Sequence, residues 1–102
     1  MKTDNVLRLA GLAARAGKCV SGEFSSEEEI RKGNALLCLL AEDASPGTKK
    51  KFRNRCSYYN VTLREAYTKE ELGHALGKDL RSVLVILEKG FADSIRKQLD
   101  LR

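Results

Sequence analysis

Apolar residues recur along this chain at two spacings, and together they predict helices that alternate with short strands. A helical spacing of three and four residues opens the chain, and Thr3 is placed to cap this first helix. The apolar face of the helix is formed by Val6, Leu9, Ala10 and Ala13. A very short strand is predicted next, at residues 19–21.

The second predicted helix has an acidic start and two candidate caps. Ser25 or Ser26 can cap it, and Glu28 lies at the capping-box distance from Ser25. The helix is predicted to end near Gly33. Acidic residues in its first turn suit the helix dipole.

Two later runs, at residues 36–41 and 83–87, are apolar on both alternating faces. This pattern is typical of central strands that helices cover on each side. Residues 61–66 predict a weaker strand.

A third helix is predicted after the first of these runs. Ser45 and Pro46 occupy the cap and the first helical position, and the helix runs to about Tyr59. Its predicted buried side is formed by Phe52, Cys56 and Tyr59.

Two further helices complete the pattern. Thr68 and Glu71 form a capping box for a short helix that ends at Gly77, and residues 90–101 form the last helix. Strands that alternate with helices predict an α/β fold. We therefore expect a three-layer α/β/α sandwich around a mixed central sheet, folded as a single domain over residues 1–102.

Length and composition narrow the class of protein. The chain has 102 residues, of which 42% are apolar and 32% charged, and this is the size of one compact domain. Its longest apolar run, residues 35–41, is much shorter than a membrane span, and its first residues carry no signal-peptide core. We therefore expect a cytoplasmic protein that does not bind membranes, and a monomer rather than an oligomer.

The distribution of charge gives the first functional hint, because a net charge of +5 favours polyanionic partners. The basic cluster consists of Lys49, Lys50, Lys51, Arg53 and Arg55. The acidic cluster consists of Glu23, Glu27, Glu28 and Glu29. Two such clusters predict a polarised surface, although a run of charges is also what a solvated helix face presents.

Residues suited to catalysis or metal binding are sparse. The three cysteines and the single histidine, His74, stand at no ligand or catalytic spacing. Glu42 and Asp43 follow a predicted central strand, where two carboxylates can hold Mg²⁺ or can form a solvated turn. Since the sequence also lacks a glycine-rich phosphate loop, we expect no catalytic residue, no metal and no cofactor, and an enzyme is the least favoured class.

Gly22 stands before the second helix, whose free N–H groups attract phosphate oxygens or base acceptors. Lys18 lies just before it, and Arg31 and Lys32 follow further along the chain. This arrangement is typical of a nucleic-acid-binding edge, but the glycine can equally serve only to make a turn.

Several segments, taken in order, resemble a known family. Residues 22–33, 35–46 and 71–77 resemble the kink-turn-binding ribosomal-protein family. Residues 17–23, 42–45 with 48–50, and 56–61 are most similar to its bacterial YlxQ branch. The resemblance implies an α/β/α sandwich with a mixed, four-stranded sheet, in agreement with the periodicity. It covers nearly the whole chain.

The resemblance also implies how RNA is read. In RNA-binding members of the family, the glycine at Gly22 opens a helix whose Asn, Glu and Lys read the sheared G·A pairs of a kink-turn. These positions fall on Phe24, Ser25 and Glu28 here, so two polar groups are altered and a cation is replaced by an anion. Phe24 can stack on a base or can act as a hydrophobic staple against its own helix.

Around the extruded base of the RNA, the resemblance places the family's contacts on Ser45, Lys49, Lys69 and Leu80, with Arg81 adjacent. Polar, cationic and apolar groups together are suited to an unstacked base. The leading hypothesis is a non-catalytic RNA-binding protein that recognises structured RNA of the kink-turn type, in ribosomal RNA or another transcript. The alternative is a protein-binding adaptor on the ribosome or the transcription–translation machinery that has lost kink-turn readout.

The complete set of predicted RNA-binding residues is Lys18, Gly22, Glu23, Phe24, Ser25, Lys32, Ser45, Lys49, Lys69, Leu80 and Arg81.

Overall fold

Helices and strands alternate from end to end in the computed structural model, which describes residues 4–101. The elements are α1 (Asn5–Arg15), β1 (Cys19–Ser21), α2 (Glu23–Arg31), β2 (Leu37–Leu40), α3 (Pro46–Tyr58), β3 (Thr62–Glu65), α4 (Lys69–Ala75), β4 (Val83–Ile86) and α5 (Lys89–Asp100). Each predicted element is present. In this part of the chain no helix has the length and apolar character needed to cross a membrane.

The four strands form one mixed sheet in the order β1, β4, β2, β3. Strand β2 is parallel to β3, and β4 is antiparallel to both β1 and β2. Helices α1, α4 and α5 pack together on one side, whereas α2 packs on α3 on the other. The predicted three-layer α/β/α sandwich with a mixed, four-stranded sheet is confirmed.

The core lies where the central strands meet the two helical layers. Every residue of β2 and β4 is buried, as their apolar runs predict. Phe52 and Cys56 of α3 are also buried, but Tyr59 is 38% exposed, so its predicted place in the core is wrong. The reason is local, because α3 ends at Tyr58 and the chain reverses at Asn60, which has a φ of 58°.

Two of the predicted helix starts are corrected by the structure. Helix α1 is capped by Asp4, whose Oδ1 accepts a hydrogen bond from the Val6 N–H at 2.7 Å, while Thr3 lies outside the described residues. Helix α2 begins directly after Gly22, and neither Ser25 nor Ser26 caps it. The chain leaves β1 and turns into the helix without an intervening loop, so the cap falls on the turning residue itself.

The caps of α3 and α4 are confirmed. The Ser45 hydroxyl accepts a hydrogen bond from the Thr48 N–H at 3.2 Å, with Pro46 in the first turn. In α4 the Thr68 hydroxyl accepts from the Glu71 N–H at 3.1 Å, and the Glu71 carboxylate accepts from the Thr68 N–H at 2.9 Å. These local capping hydrogen bonds determine where both helices begin.

The cysteine thiols should react very slowly in the folded protein. Cys38 and Cys56 are buried, and burial raises the pKa of the Cys19 thiol from its usual value of 9.0 to about 12. The thiolate is the form that attacks a disulfide reagent, so near pH 8 the reactive fraction of Cys19 falls by roughly a thousandfold. When an aromatic disulfide reagent is added to the native protein, we expect its absorbance to change slowly. In denaturant we expect all three thiols to react rapidly. One fast thiol in the native protein would contradict this expectation.

Candidate nucleic-acid interface

The topology brings the starts of three helices to one edge of the sheet. Ser21 at the end of β1 and Leu40 at the end of β2 pair with Leu84 and Val83 at the start of β4, and β3 runs parallel to β2. Helices α2, α3 and α4 each follow one of β1, β2 and β3, so all three begin at this edge. We call it the helix-start edge.

At the start of α2, Gly22 adopts a φ of 93° and a ψ of 156°, a conformation essentially restricted to glycine. Its N–H donates to the Val83 carbonyl at 2.9 Å, and its carbonyl accepts from the Ser26 N–H at 3.0 Å. The first N–H groups of the helix have no acceptor within it and are electropositive. Both functions considered for this glycine are therefore compatible: it makes the turn, and it opens a helix that attracts anions.

Phe24 is the most prominent apolar group at this edge. Its side chain is 75% exposed, so the alternative in which it acts as a hydrophobic staple against its own helix is wrong. Ser25 beside it is exposed as well. An aromatic ring in the first turn of a helix that attracts anions is available to stack on a base.

A chain of hydrogen bonds joins the starts of α2 and α3. The Ser45 hydroxyl donates to the Thr48 hydroxyl at 2.9 Å, and that hydroxyl donates to the Glu23 carboxylate at 3.2 Å. Glu23 and Ser45, far apart in sequence, are thereby held close to one another. Thr48 was not among the predicted site residues, because nothing in its local spacing shows that it reaches across to α2.

The start of α4 is joined to the loop that precedes β4. The Lys69 N–H donates to the Asp43 carboxylate at 2.8 Å, and the Lys69 carbonyl accepts from the Arg81 N–H at 3.1 Å. The Arg81 guanidinium donates to the Ser21 hydroxyl at 3.1 Å. Leu80, 59% exposed, lies beside Arg81 in the same loop. Two cationic side chains and one apolar side chain therefore share this part of the edge.

The geometry at Asp43 favours the turn over a metal site. Its carboxylate accepts the backbone N–H of Lys69, while Glu42 is exposed and its own N–H donates to the Tyr67 carbonyl at 2.8 Å. Within residues 4–101 no three histidine, cysteine or acidic side chains are grouped as metal ligands.

Lys18 and Lys32 do not join the other predicted residues. The Lys18 carbonyl accepts from the Leu87 N–H at the opposite edge of the sheet, where β1 begins. Lys32 follows the last turn of α2, and its ammonium group is 3.4 Å from the Glu28 carboxylate. The prediction that they share one site with Gly22 is therefore corrected by the topology.

The basic and acidic clusters face each other instead of polarising the surface. The Glu27 carboxylate is 2.8 Å from the Arg55 guanidinium and 3.4 Å from the Lys51 ammonium. The Glu65 carboxylate is 2.6 Å from the guanidinium of Arg53. Arg55 and Arg53, respectively, lower the pKa of these two carboxyl groups. Much of the basic cluster therefore holds α2, α3 and β3 together and is not free for a ligand.

A groove of about 740 Å³ adjoins the helix-start edge. Ser21, Ser25 and Arg81 belong to both, and Arg15, His74 and Lys78 add further polar groups from α1, α4 and the following loop. Among the residues that the structure describes, no acidic side chain lines the groove. Sequence reasoning missed Arg15, because only the packing of α1 against α4 brings it into one groove with Arg81. It also missed Lys78, which lies in the same loop as Arg81 but at no recognisable spacing.

Comparisons with known proteins agree with this architecture. The model of the ribosomal protein L7Ae/L30e/S12e/Gadd45 family matches residues 4–96. The RNA-binding protein YlxQ of Bacillus subtilis (strain 168) is 44% identical over 92 residues, which cover 90% of this chain and 92% of that protein.

Two solved structures superpose closely on the chain. A protein of unknown function from Bacillus halodurans C has a TM-score of 0.92 at 32% identity, covering 96% of this chain and 99% of that one. A Giardia lamblia 15.5kD RNA binding protein has a TM-score of 0.81 at 18% identity, covering 99% and 92%, and shows a likeness of fold. With the family match spanning nearly the whole chain, these relationships establish that it belongs to the ribosomal protein L7Ae/L30e/S12e/Gadd45 family.

Proposed function

We propose that this chain is a non-catalytic RNA-binding protein that recognises structured RNA of the kink-turn type at the helix-start edge. Its family and its YlxQ relatives, which are named RNA-binding proteins, support RNA as the ligand. The observation that carries the proposal is the convergence of three helix starts with Lys69, Arg81, Phe24 and Leu80. The recognised kink-turn belongs to ribosomal RNA or to another transcript.

The edge supplies the two kinds of contact that a folded RNA requires. Helix N-termini and the side chains of Lys69 and Arg81 attract phosphates and position the backbone. Phe24 and Leu80, both exposed, offer apolar surface to bases that leave the stack. Phosphate contacts provide affinity, whereas the base contacts provide specificity.

Glu28 is the least favourable of the altered positions, since an anion stands where the family's RNA-binding members have a cation. Its carboxylate is 3.4 Å from the Lys32 ammonium, one helical turn further on. This ion pair draws the Glu28 carboxylate towards the end of α2 and away from the helix-start edge, in place of the predicted capping box. Glu28 is therefore compatible with RNA binding at this edge.

A titration against two RNAs tests the proposal. One is a standard kink-turn, and the other is a duplex whose G·A pairs are replaced by Watson–Crick pairs, each at two salt concentrations. We expect a clear preference for the kink-turn, with both affinities falling as salt rises. Equal, strongly salt-dependent binding to both RNAs would contradict the proposed recognition of kink-turns. No binding to either, with protein partners that survive ribonuclease in a pull-down, would point to the adaptor.

Lys49→Glu is expected to weaken kink-turn binding by about tenfold. Lys49 lies in the first turns of α3 after Ser45, and a charge reversal there repels the nearby phosphates. Lys89→Glu at the start of α5 is the matched control, because it makes the same change of net charge at an exposed position next to the end of β4, at the opposite edge of the sheet. If both variants bind as tightly as the natural sequence, Lys49 is not part of the interface.

A further inference from the structure

We propose that the C-terminal ends of α2 and α3 form a second binding site, for an unpaired nucleotide of RNA. The site is a concave surface of about 430 Å³, lined by Arg31, Asn54, Arg55, Tyr58 and Tyr59, which we call the tyrosine–arginine patch. The inference rests on RNA as the ligand of this chain, but not on the helix-start edge.

The two tyrosines are held in a defined arrangement at the end of α3. Their ring centroids are 4.8 Å apart and their planes are inclined at 78°, an edge-to-face contact. The helix ends in a left-handed Asn60, and the Val61 N–H donates to the Cys56 carbonyl at 2.8 Å, which closes the last turn. The rings therefore project from a fixed backbone.

The ring of Tyr58 is largely exposed to solvent. Its side chain is 79% exposed, and burial of a large ring is usually favourable. Tyr59 is 38% exposed, although the helical spacing predicted it in the core. An exposed ring that a neighbouring ring supports from the side leaves one face open, and a nucleobase can stack on such a face.

The polar groups of the patch complement a nucleotide. Arg31 is exposed and forms no ion pair within 4 Å with any residue in the described range. The Nε of Arg55 donates to Glu27 at 2.8 Å, which fixes the plane of its guanidinium. The unpaired guanidinium of Arg31 attracts a phosphate, the guanidinium of Arg55 stays paired with Glu27 and presents its fixed plane, and the Asn54 amide can both donate to and accept from a base edge.

The same residues favour RNA over a protein partner. Tyrosine and arginine also occur at protein–protein interfaces, but those interfaces have an apolar core. Within residues 4–101 no aliphatic and no acidic residue lines this patch, so an apolar anchor from a protein would find little to contact. Guanidinium groups, an amide and open aromatic faces suit a charged ligand with π-faces.

The patch is separate from the helix-start edge. Helix α3 has 13 residues, so its end lies roughly 20 Å from its start at Ser45. The two surfaces therefore do not compete for one nucleotide. A kink-turn with short, closed helices engages only the helix-start edge, whereas unpaired RNA engages the patch.

Binding of a single-stranded hexanucleotide, oligoadenylate, tests the second site. We expect Tyr58→Ala to weaken its binding by about tenfold, and Tyr58→Phe, which keeps the ring, to leave it nearly unchanged. Arg31→Ala should also weaken it. Because the chain has no tryptophan and three tyrosines, quenching of tyrosine emission reports the stacking directly. Because these side chains are exposed, we expect each variant to fold, and thermal unfolding verifies this.

The outcomes distinguish this inference from the proposed function. If Tyr58→Ala loses the hexanucleotide and keeps the closed kink-turn, the second site is supported whatever the specificity of the helix-start edge. If the hexanucleotide binds the Tyr58→Ala variant as well as the natural sequence, or binds neither, the second site is overturned. Loss of a ribonuclease-resistant protein partner in Tyr58→Ala, without any effect on the hexanucleotide, would assign the patch to protein and also overturn it.

Discussion

Gly73→Ala is expected to lower the free energy of unfolding by about 3 kcal/mol, a cost typical of severe overpacking. Gly73 lies in α4, where its Cα packs directly on the backbone of Asp79 in the following loop. A Cβ there would overlap the Asp79 carbonyl oxygen and lie 2.6 Å from the carbonyl carbon. Both atoms are backbone, so relief requires the loop to move away from α4.

The same displacement is expected to weaken RNA binding, because the loop after Gly73 carries Leu80 and Arg81. Chemical denaturation measures the stability, and titration with the kink-turn at low temperature measures the affinity of the folded fraction. Gly47→Ala is the matched control for stability, since a Cβ at Gly47 in α3 meets nothing within 4 Å. We expect that control to be neutral or to gain up to about 1 kcal/mol. A Gly73→Ala variant as stable as the natural sequence would contradict the close packing.

Gly22→Ala is expected to have the largest effect on RNA binding relative to its effect on stability. The φ of 93° and ψ of 156° at this position are essentially unavailable to alanine, and the strain costs about 1–3 kcal/mol. Part of that strain is relieved if the first turn of α2 shifts, which moves Phe24 and Ser25. We therefore expect a lower melting temperature and at least tenfold weaker binding to the kink-turn.

A second glycine with a positive φ, at the opposite edge, separates the effect on RNA binding from the effect on stability. Gly33 has a φ of 80° and lies just beyond α2, away from the helix-start edge. Gly33→Ala should lose about 1 kcal/mol of stability and keep its affinity for the kink-turn. If Gly22→Ala and Gly33→Ala lose RNA affinity equally, the loss at Gly22 reflects general destabilisation and the site assignment is wrong.

The fold was predictable wherever a local pattern carries the information. The doubly apolar runs predicted β2 and β4 as central strands, and all their residues are buried. The capping sequences at Ser45 and Thr68 set the starts of α3 and α4, because a cap forms between residues three apart. Such interactions form within one turn and need no information from elsewhere in the chain.

The errors occurred where a distant contact overrides a local preference. Ser25 and Ser26 are good helix caps, yet α2 starts at Gly22, whose N–H is held by Val83 of the neighbouring strand. Ser26 is buried within the helix instead. The basic cluster looked free in sequence, but Glu27 and Glu65 come from other elements and pair with its cations.

For the candidate site, local patterns in the sequence predicted the helices and the central strands, and the family resemblance predicted residues such as Ser45, Lys69 and Arg81. Which of these residues meet depends on the order of the strands, which places Gly22, Ser45 and Lys69 at one edge and Lys18 at the other. The tertiary structure also revealed Thr48 and the tyrosine–arginine patch. The physical reason is that propensity and capping act over a few residues, whereas a binding surface is assembled from contacts between residues far apart in sequence.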